Sequence, residues 1–321
     1  MYRNSTAHSA LFAMALVFAA PGSPIFSENG FDLSDALIPR DEIRVGIPGR
    51  DAIPALHAPK FLSGDAALKH FGARERVLVV RYKGEAKAYP LAVLNWHEIV
   101  NDTIAGLPIV VTYCPLCGTG IVFLATVRGE VLRFRVSGLL YQSDVLLYDE
   151  KSNSLWSQVL SKAVTGKFKG TSLETVGSTL EPLGEVVAKE KKLRVLSTET
   201  GHVRDYDRDP YRRYSLGAAL MFPVDLQDAK VAAKAWCVLL RTKKESWIVP
   251  LSHLDPNADK QDLKLGKLSV TVEYDARTST INCPKPPQEV TCIVGYYFAL
   301  RAFHHDAKLY PKQKPRSGGK G

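Results

Sequence analysis

Apolar and polar positions alternate with a period of two along much of the middle of the chain, the pattern of half-buried strands. Val77–Tyr82 and Ala86–Tyr89 read as a hairpin turning at Lys83-Gly84. Ile109–Tyr113, Ile121–Val127, Val131–Ser137 and Val145–Tyr148 are β-branched or alternating runs, with Arg128-Gly129 as a turn between two of them. Further strands are expected at Leu193–Ser197, Cys237–Thr242, Trp247–Pro250 and Leu268–Tyr274. Helical periodicity is scarce. Ser63 is placed to cap a short helix over Asp65–His70. Pro90 suits the first position of a second short helix running towards His97, because a helix start leaves that N–H unpaired anyway. The fold class expected is α+β and β-rich.

The pattern also repeats. Val77–Leu94 (VLVVRYKGEAKAYPLAVL) aligns without a gap on Cys237–Leu254 (CVLLRTKKESWIVPLSHL), matching Arg81, Lys83, Glu85, Pro90, Leu91 and Leu94 to Arg241, Lys243, Glu245, Pro250, Leu251 and Leu254. The same offset pairs Gly106 with Gly266, and one extra residue then pairs Tyr113 with Tyr274. A hairpin, a proline-started turn and a following strand are thus expected twice. The second copy lacks the first copy's chemistry: Asn257 stands for His97, Asp275 for Cys114 and Thr278 for Cys117. Shared positions carry fold, and unshared positions in the first copy become the candidates for function.

With 321 residues, the chain has room for one large domain or two modest ones. The expectation is one unit built from two related halves, 54–215 and 216–310, preceded by an extended lead-in over 28–53; two separable domains are the alternative. The net charge of +9 is spread along the chain, with an excess in Lys308–Lys320. No aromatic and basic stripe accompanies it, so a solvated basic surface is expected and no nucleic-acid partner. Residues 311–321 are rich in Gly, Lys and Pro and are predicted to be disordered.

The N-terminus changes the picture. Arg3 precedes an apolar stretch, Ala10–Ala20, which Pro21, Gly22 and Pro24 then break. That stretch is well short of the roughly 20 residues that span a bilayer. Residues 1–27 therefore read as a cleaved secretory signal, with a retained anchor as the alternative. A periplasmic or extracellular location follows, with no membrane association after signal removal.

Export makes disulfides possible for the five cysteines. Cys283 and Cys292 flank a stiff loop with Pro284, Pro286 and Pro287, and a structural disulfide is expected there. Cys237 lies in an apolar run and reads as a small buried hydrophobe. The remaining pair belongs to the densest stretch of chemistry, Asn95 to Cys117. There Trp96-His97-Glu98 and Asp102 precede Tyr113-Cys114-Pro115-Leu116-Cys117-Gly118. A C-x-x-C brings two sulfurs around one turn, where they grip one ion or close a disulfide. A closed four-cysteine site needs a second such pair, and this chain has none. Two thiolates with His97 would form a partly open three-ligand site suited to copper or zinc. Glu98 and Asp102 are candidate partners behind His97. Tyr141, Ser143 and Asp144 interrupt apolar runs further on and are candidates to line the same cavity, as are Trp156 and Gln158. Two other readings stay open: a thiol–disulfide oxidoreductase using Cys114 and Cys117, and a non-catalytic binding module with a structural disulfide. No G-x-S-x-G, Walker loop, dinucleotide fingerprint or H-E-x-x-H occurs.

The stretches AYPLAVLNWHEIVNDTIAGLPIVVTYCPLCGTGIVF, VSGLLYQSDVLLYDEKSNSLWSQ and LSTETGHVRDYDRDPY resemble the domain-of-unknown-function 3179 family of bacterial and archaeal proteins. The resemblance runs from about Pro54 to Tyr310 and places His97, Cys114, Cys117, Ser143, Asp144, Trp156 and Gln158 in the family's signature stretches. It implies no activity, and it departs at Gly295–Leu300, where more tryptophan would be in keeping.

Overall fold

The computed structural model describes residues 27–226 and 228–313, so almost all of the expected signal sequence and most of the basic tail lie outside the described residues. Strand dominates, with 40% of the chain in strands and 14% in helices. Helix α1 (Gly64–Phe71) starts at Ser63, whose side chain accepts a hydrogen bond from the Ala66 N–H. The hairpin of β1 (Arg76–Tyr82) and β2 (Glu85–Pro90) follows, and Pro90 leads into α2 (Leu91–His97). A three-stranded meander comes next: β3 (Ile99–Ile104), β4 (Leu107–Cys114) and β5 (Thr119–Leu124). A further hairpin, β6 (Phe134–Tyr141) and β7 (Asp144–Asp149), belongs to a separate five-stranded sheet. The chain returns through β8 (Ser178–Pro182), α3 (Leu183–Lys189) and β9 (Arg194–Leu196). A short helix, α4 (Arg212–Leu216), precedes the rest.

The C-terminal part runs through β10 (Trp236–Arg241), β11 (Ser246–Pro250), a 3-10 turn at Leu251–His253, and β12 (Lys260–Leu265), β13 (Leu268–Asp275) and β14 (Thr280–Asn282). It ends with β15 (Thr291–Tyr296), α5 (Tyr297–Phe303) and β16 (Lys308–Leu309). One buried apolar cluster joins Ile99, Val110, Phe123 and Trp156 to Cys237, Leu239, Ile248 and Tyr297, so the core is shared across residue 215.

The two parts use the same pairings. In the first hairpin Val77 faces Pro90 and Arg81 faces Ala86; in the second Cys237 faces Pro250 and Arg241 faces Ser246. The strand orders β8-β1-β2-β9 and β15-β10-β11-β16 also correspond, each with a parallel last pair. Cys114 faces Thr119 across one meander turn, and Asp275 faces Thr280 across the other. One detail of the expected alignment is corrected. Ile104 faces Leu107 and Leu265 faces Leu268, so Ala105-Gly106 corresponds to Gly266-Lys267 and Gly106 does not meet Gly266. The extra residue enters in the loop before β12, where it shifts no strand register and so flips no face.

Candidate metal centre

Two turns build the site. In the first, Cys114 ends β4, the Cys117 N–H donates to the Cys114 carbonyl at 3.2 Å, and Gly118 follows with φ +64°. A Cβ on Gly118 would stand 2.9 Å from the Trp236 ring, so glycine is required for both space and backbone conformation. The second turn joins β6 to β7. Tyr141 faces Asp144, and the two loop residues have positive φ, Gln142 at +50° and Ser143 at +62°. This is the two-residue hairpin geometry that Asn-Gly usually supplies. Gln and Ser hold it at a cost of roughly 1 kcal/mol or more each. Side-chain anchors oppose that cost: Gln142 accepts from the Asp225 N–H at 2.6 Å, and Ser143 Oγ donates to the Phe222 carbonyl at 3.1 Å.

The strained turn delivers the Ser143 carbonyl to both thiols. It accepts from Cys114 Sγ at 3.7 Å and from Cys117 Sγ at 3.3 Å. Ligand atoms of Cys114, Cys117 and Asp144 all lie within 4.8 Å of one another, and all three residues are buried. Asp144 Oδ2 accepts from the Val159 N–H at 3.0 Å, while Oδ1 is buried with no hydrogen-bond partner among the described residues. Burial pushes the Asp144 carboxyl up to about 7 and the Glu98 carboxyl, which bonds to the Tyr211 hydroxyl, up to about 8. Burial and the neighbouring Cys114 push the Cys117 thiol well above its ordinary value. Four acidic groups thus share one low-dielectric space.

His97 is not in this group. It was expected beside the sulfurs, but Glu98 ends α2 with φ +57° and the two side chains part company. His97 Nδ1 donates to the Pro54 carbonyl at 2.8 Å, which leaves Nε2 as the acceptor for the Tyr206 hydroxyl at 2.7 Å. Both ring nitrogens are therefore committed, and burial lowers the imidazole to about 4. Asp144, expected only to line the cavity, is the residue that stands with the two sulfurs in the group that could hold an ion. Asp102 does not back His97 either: it forms a buried ion pair with Lys87 at 2.9 Å and accepts from the Tyr89 hydroxyl at 2.7 Å.

The other expected residues divide. Gln158, fully buried, bonds to Thr112 Oγ1 at 2.8 Å and Thr119 Oγ1 at 2.6 Å, and so ties β4 to β5 below the cysteine turn. Tyr141 lies at the edge, its ring against Phe303. Trp156 is a core residue whose Nε1 donates to Asp149 at 3.0 Å. Cys283 and Cys292 are free in this structure, where a disulfide was expected.

Sequence reasoning did not foresee the cover of the site. Tyr214 donates to the Leu116 carbonyl at 2.9 Å, and the Tyr296 N–H donates to the Cys117 carbonyl at 2.8 Å. Phe298 and Ala299 of α5 join Cys114, Cys117 and Leu116 in one buried cluster. A Cβ on Gly295 would meet the Thr119 side chain at 2.6 Å, so that approach also depends on a glycine. The signal for Tyr211 was the tyrosine-rich run 206–214, which interrupts a polar stretch without periodicity.

Fold and site together define a β-rich protein with a buried cysteine–carboxylate group able to hold a metal ion. The chain belongs to the DUF3179 family, described as a protein of unknown function, and matches its model over residues 50–307. No curated protein and no solved structure matches the chain.

Proposed function

We propose that this is an exported metal-binding protein whose ion is held by Cys114, Cys117 and Asp144, with zinc favoured over copper. The observation that carries the reading is the buried group of two thiols and a carboxylate with one oxygen, Asp144 Oδ1, left without a partner. Buried polar atoms are rarely orphaned, and an orphan among ligand atoms points to an absent cation. Softness selects the ion: two thiolates with a carboxylate suit zinc, whereas copper(I) prefers sulfur and imidazole throughout. The Ser143 carbonyl supports a fourth position. Two ligands on one tetrahedral ion, with bonds of about 2.0–2.3 Å, stand roughly 3.5 Å apart. The carbonyl lies 3.3 and 3.7 Å from the two sulfurs. An ion with charge +2 would also displace the protons that burial keeps on these groups.

Burial favours this reading over thiol–disulfide exchange, because an attacking sulfur must be reached by its partner and Cys114 and Cys117 are 1% and 0% exposed. The matching strand orders and turn registers support a second proposal: an internal duplication, in which the C-terminal copy kept the scaffold without the ligands. A periplasmic or extracellular site of action is part of the same reading and rests on the N-terminal sequence.

Elemental analysis of protein purified from its native compartment tests the proposal. One zinc per chain is expected in the wild type and in His97→Gln, and none in Cys114→Ser. Equal metal in wild type and Cys114→Ser would refute it.

A further inference from the structure

A second feature lies on the other side of Tyr211 and Pro115 from the thiols. A cleft of about 420 Å³ opens there, and Arg76, Tyr113, Trp236 and Tyr296 all line it. Arg76 is the anomaly. Its guanidinium stacks on the Trp236 ring at 4.1 Å, and its Nε and Nη2 are buried with no hydrogen-bond partner among the described residues. Nη1 is then the guanidinium nitrogen left to face the cleft. Two guanidinium nitrogens buried without a hydrogen-bond partner are costly, and a protein rarely retains that for stability alone.

The carboxylates nearby form no hydrogen bond with Arg76: the charge of Glu75 acts on the guanidinium only from a distance. Glu75 accepts from the Ala92 N–H at 2.8 Å, and Asp209 accepts from Asn95 Nδ2 at 3.0 Å and the Tyr211 N–H at 2.9 Å. Their presence, with Asp207 on the same wall, nevertheless sets the tolerance of the site. Glu75, Asp207 and Asp209 outnumber Arg74 and Arg76 on the lining, so a ligand with a second negative charge is disfavoured. The Trp236 and Tyr296 rings, 4.6 Å apart and tilted by 51°, put apolar ring surface beside the charge. Volume, charge and aromatic wall together match a small-molecule site.

We propose that this cleft binds a small organic monocarboxylate, with Arg76 as its anchor and the Trp236–Tyr296 face against its apolar body. The inference stands apart from the metal reading, since no metal ligand contributes to it. Because Trp236 and Tyr296 come from the C-terminal part and Arg76 and Tyr113 from the N-terminal part, the site exists only when the two are packed together.

Tryptophan fluorescence of the full chain, titrated with acetate, benzoate and inorganic phosphate, gives the test. Benzoate is expected to change the emission saturably and to bind more tightly than acetate, with phosphate weakest. In Arg76→Met, which keeps an aliphatic contact on Trp236, benzoate affinity is expected to fall about 10- to 100-fold, as for loss of a charge-assisted bond. The melting temperature of unliganded Arg76→Met is expected to rise, because an unpaired buried charge is gone. Absence of saturable benzoate binding, equal affinity in Arg76→Met, or tighter binding of phosphate would each overturn the proposal. A fall in the melting temperature would assign Arg76 a structural role instead.

Discussion

The turns at Cys114–Thr119 and Asp275–Thr280 share one register, each closing a meander between equivalent strands. Their surroundings differ. The first is sealed by the Gln142-Ser143 turn, by Tyr214 and by α5, and its carboxylate, Asp144, is pushed up to about 7 by burial. The second is open: Asp275 bonds to the Arg277 side chain, itself 91% exposed, and these hydrogen bonds hold its carboxyl below the ordinary range. The same backbone turn thus carries a desolvated acid group in one place and a solvated ion pair in the other. The difference comes from segments outside the repeated pattern. The hairpin that brings Ser143 and Asp144 lies between β5 and β8, where the C-terminal part has only the loop between β14 and β15.

The largest expected effect separates the two turns directly. Asp144→Asn should lower zinc affinity by more than the roughly 10–100-fold that loss of an outer partner costs, read by competition with a chromophoric chelator. Asp275→Asn should leave affinity unchanged; parity between the two variants would break the comparison.

A second contrast lies in the hairpins. The buried Lys87–Asp102 pair of the first part corresponds by register to Trp247 and Leu263 of the second, two apolar residues. Lys87→Met should destabilise by about 3–5 kcal/mol, because Asp102 is left charged and buried. The double change Lys87→Met, Asp102→Leu should recover most of that loss in denaturant melts. An additive loss in the double variant would show that the pair is not interchangeable with the apolar solution used in the second part.

A smaller effect follows from pH. Asp144 and Glu98 titrate near 7 and 8 in the folded chain, above their ordinary values of 3.8 and 4.5. The folded state therefore retains protons that the unfolded state releases, and their contribution to stability is lost as pH rises towards 8. His97 and His304, lowered to about 4 from 6.5, act in the opposite sense only below pH 6.5. In chelator, the melting temperature should accordingly fall between pH 6.5 and 8, and Glu98→Gln should flatten that slope. With zinc the slope should reverse, since the ion competes with protons for the same atoms. A chelator-treated protein that gains stability over this range would contradict the assignment of the buried acids.

The smallest effect belongs to the open turn. Thr278→Ala should change stability by no more than about 0.5 kcal/mol, as for an ordinary surface substitution.

Much of the scaffold was legible in the chain. Period-two runs located both hairpins and the central strand of each meander but not Ile99–Ile104, Lys260–Leu265 or Thr280–Asn282, and Pro90 and Pro250 marked the same corner twice, each capping the helical turn that follows. The cysteine pair was legible as well, since a C-x-x-C fixes its own geometry. His97, expected beside the sulfurs, stands away from them for a local reason. His97 and Glu98 are adjacent, but the positive φ at Glu98 sends the imidazole to Pro54 and Tyr206 and leaves the carboxyl near the thiols. Asp144 was visible only as a polar interruption in an apolar run. Its approach to Cys114 depends on Gln142 and Ser143 adopting a turn that neither residue favours, which no propensity argument would select.

In the proposed site Cys114, Cys117 and Asp144 hold the ion while His97 stands aside. X-ray absorption at the zinc edge of the native protein separates the two arrangements. Two sulfur neighbours at about 2.3 Å and the remainder oxygen at about 2.0–2.2 Å are expected, with a spectrum unaltered in His97→Gln. A shell without sulfur, or imidazole scattering that disappears in His97→Gln, would contradict the proposed site.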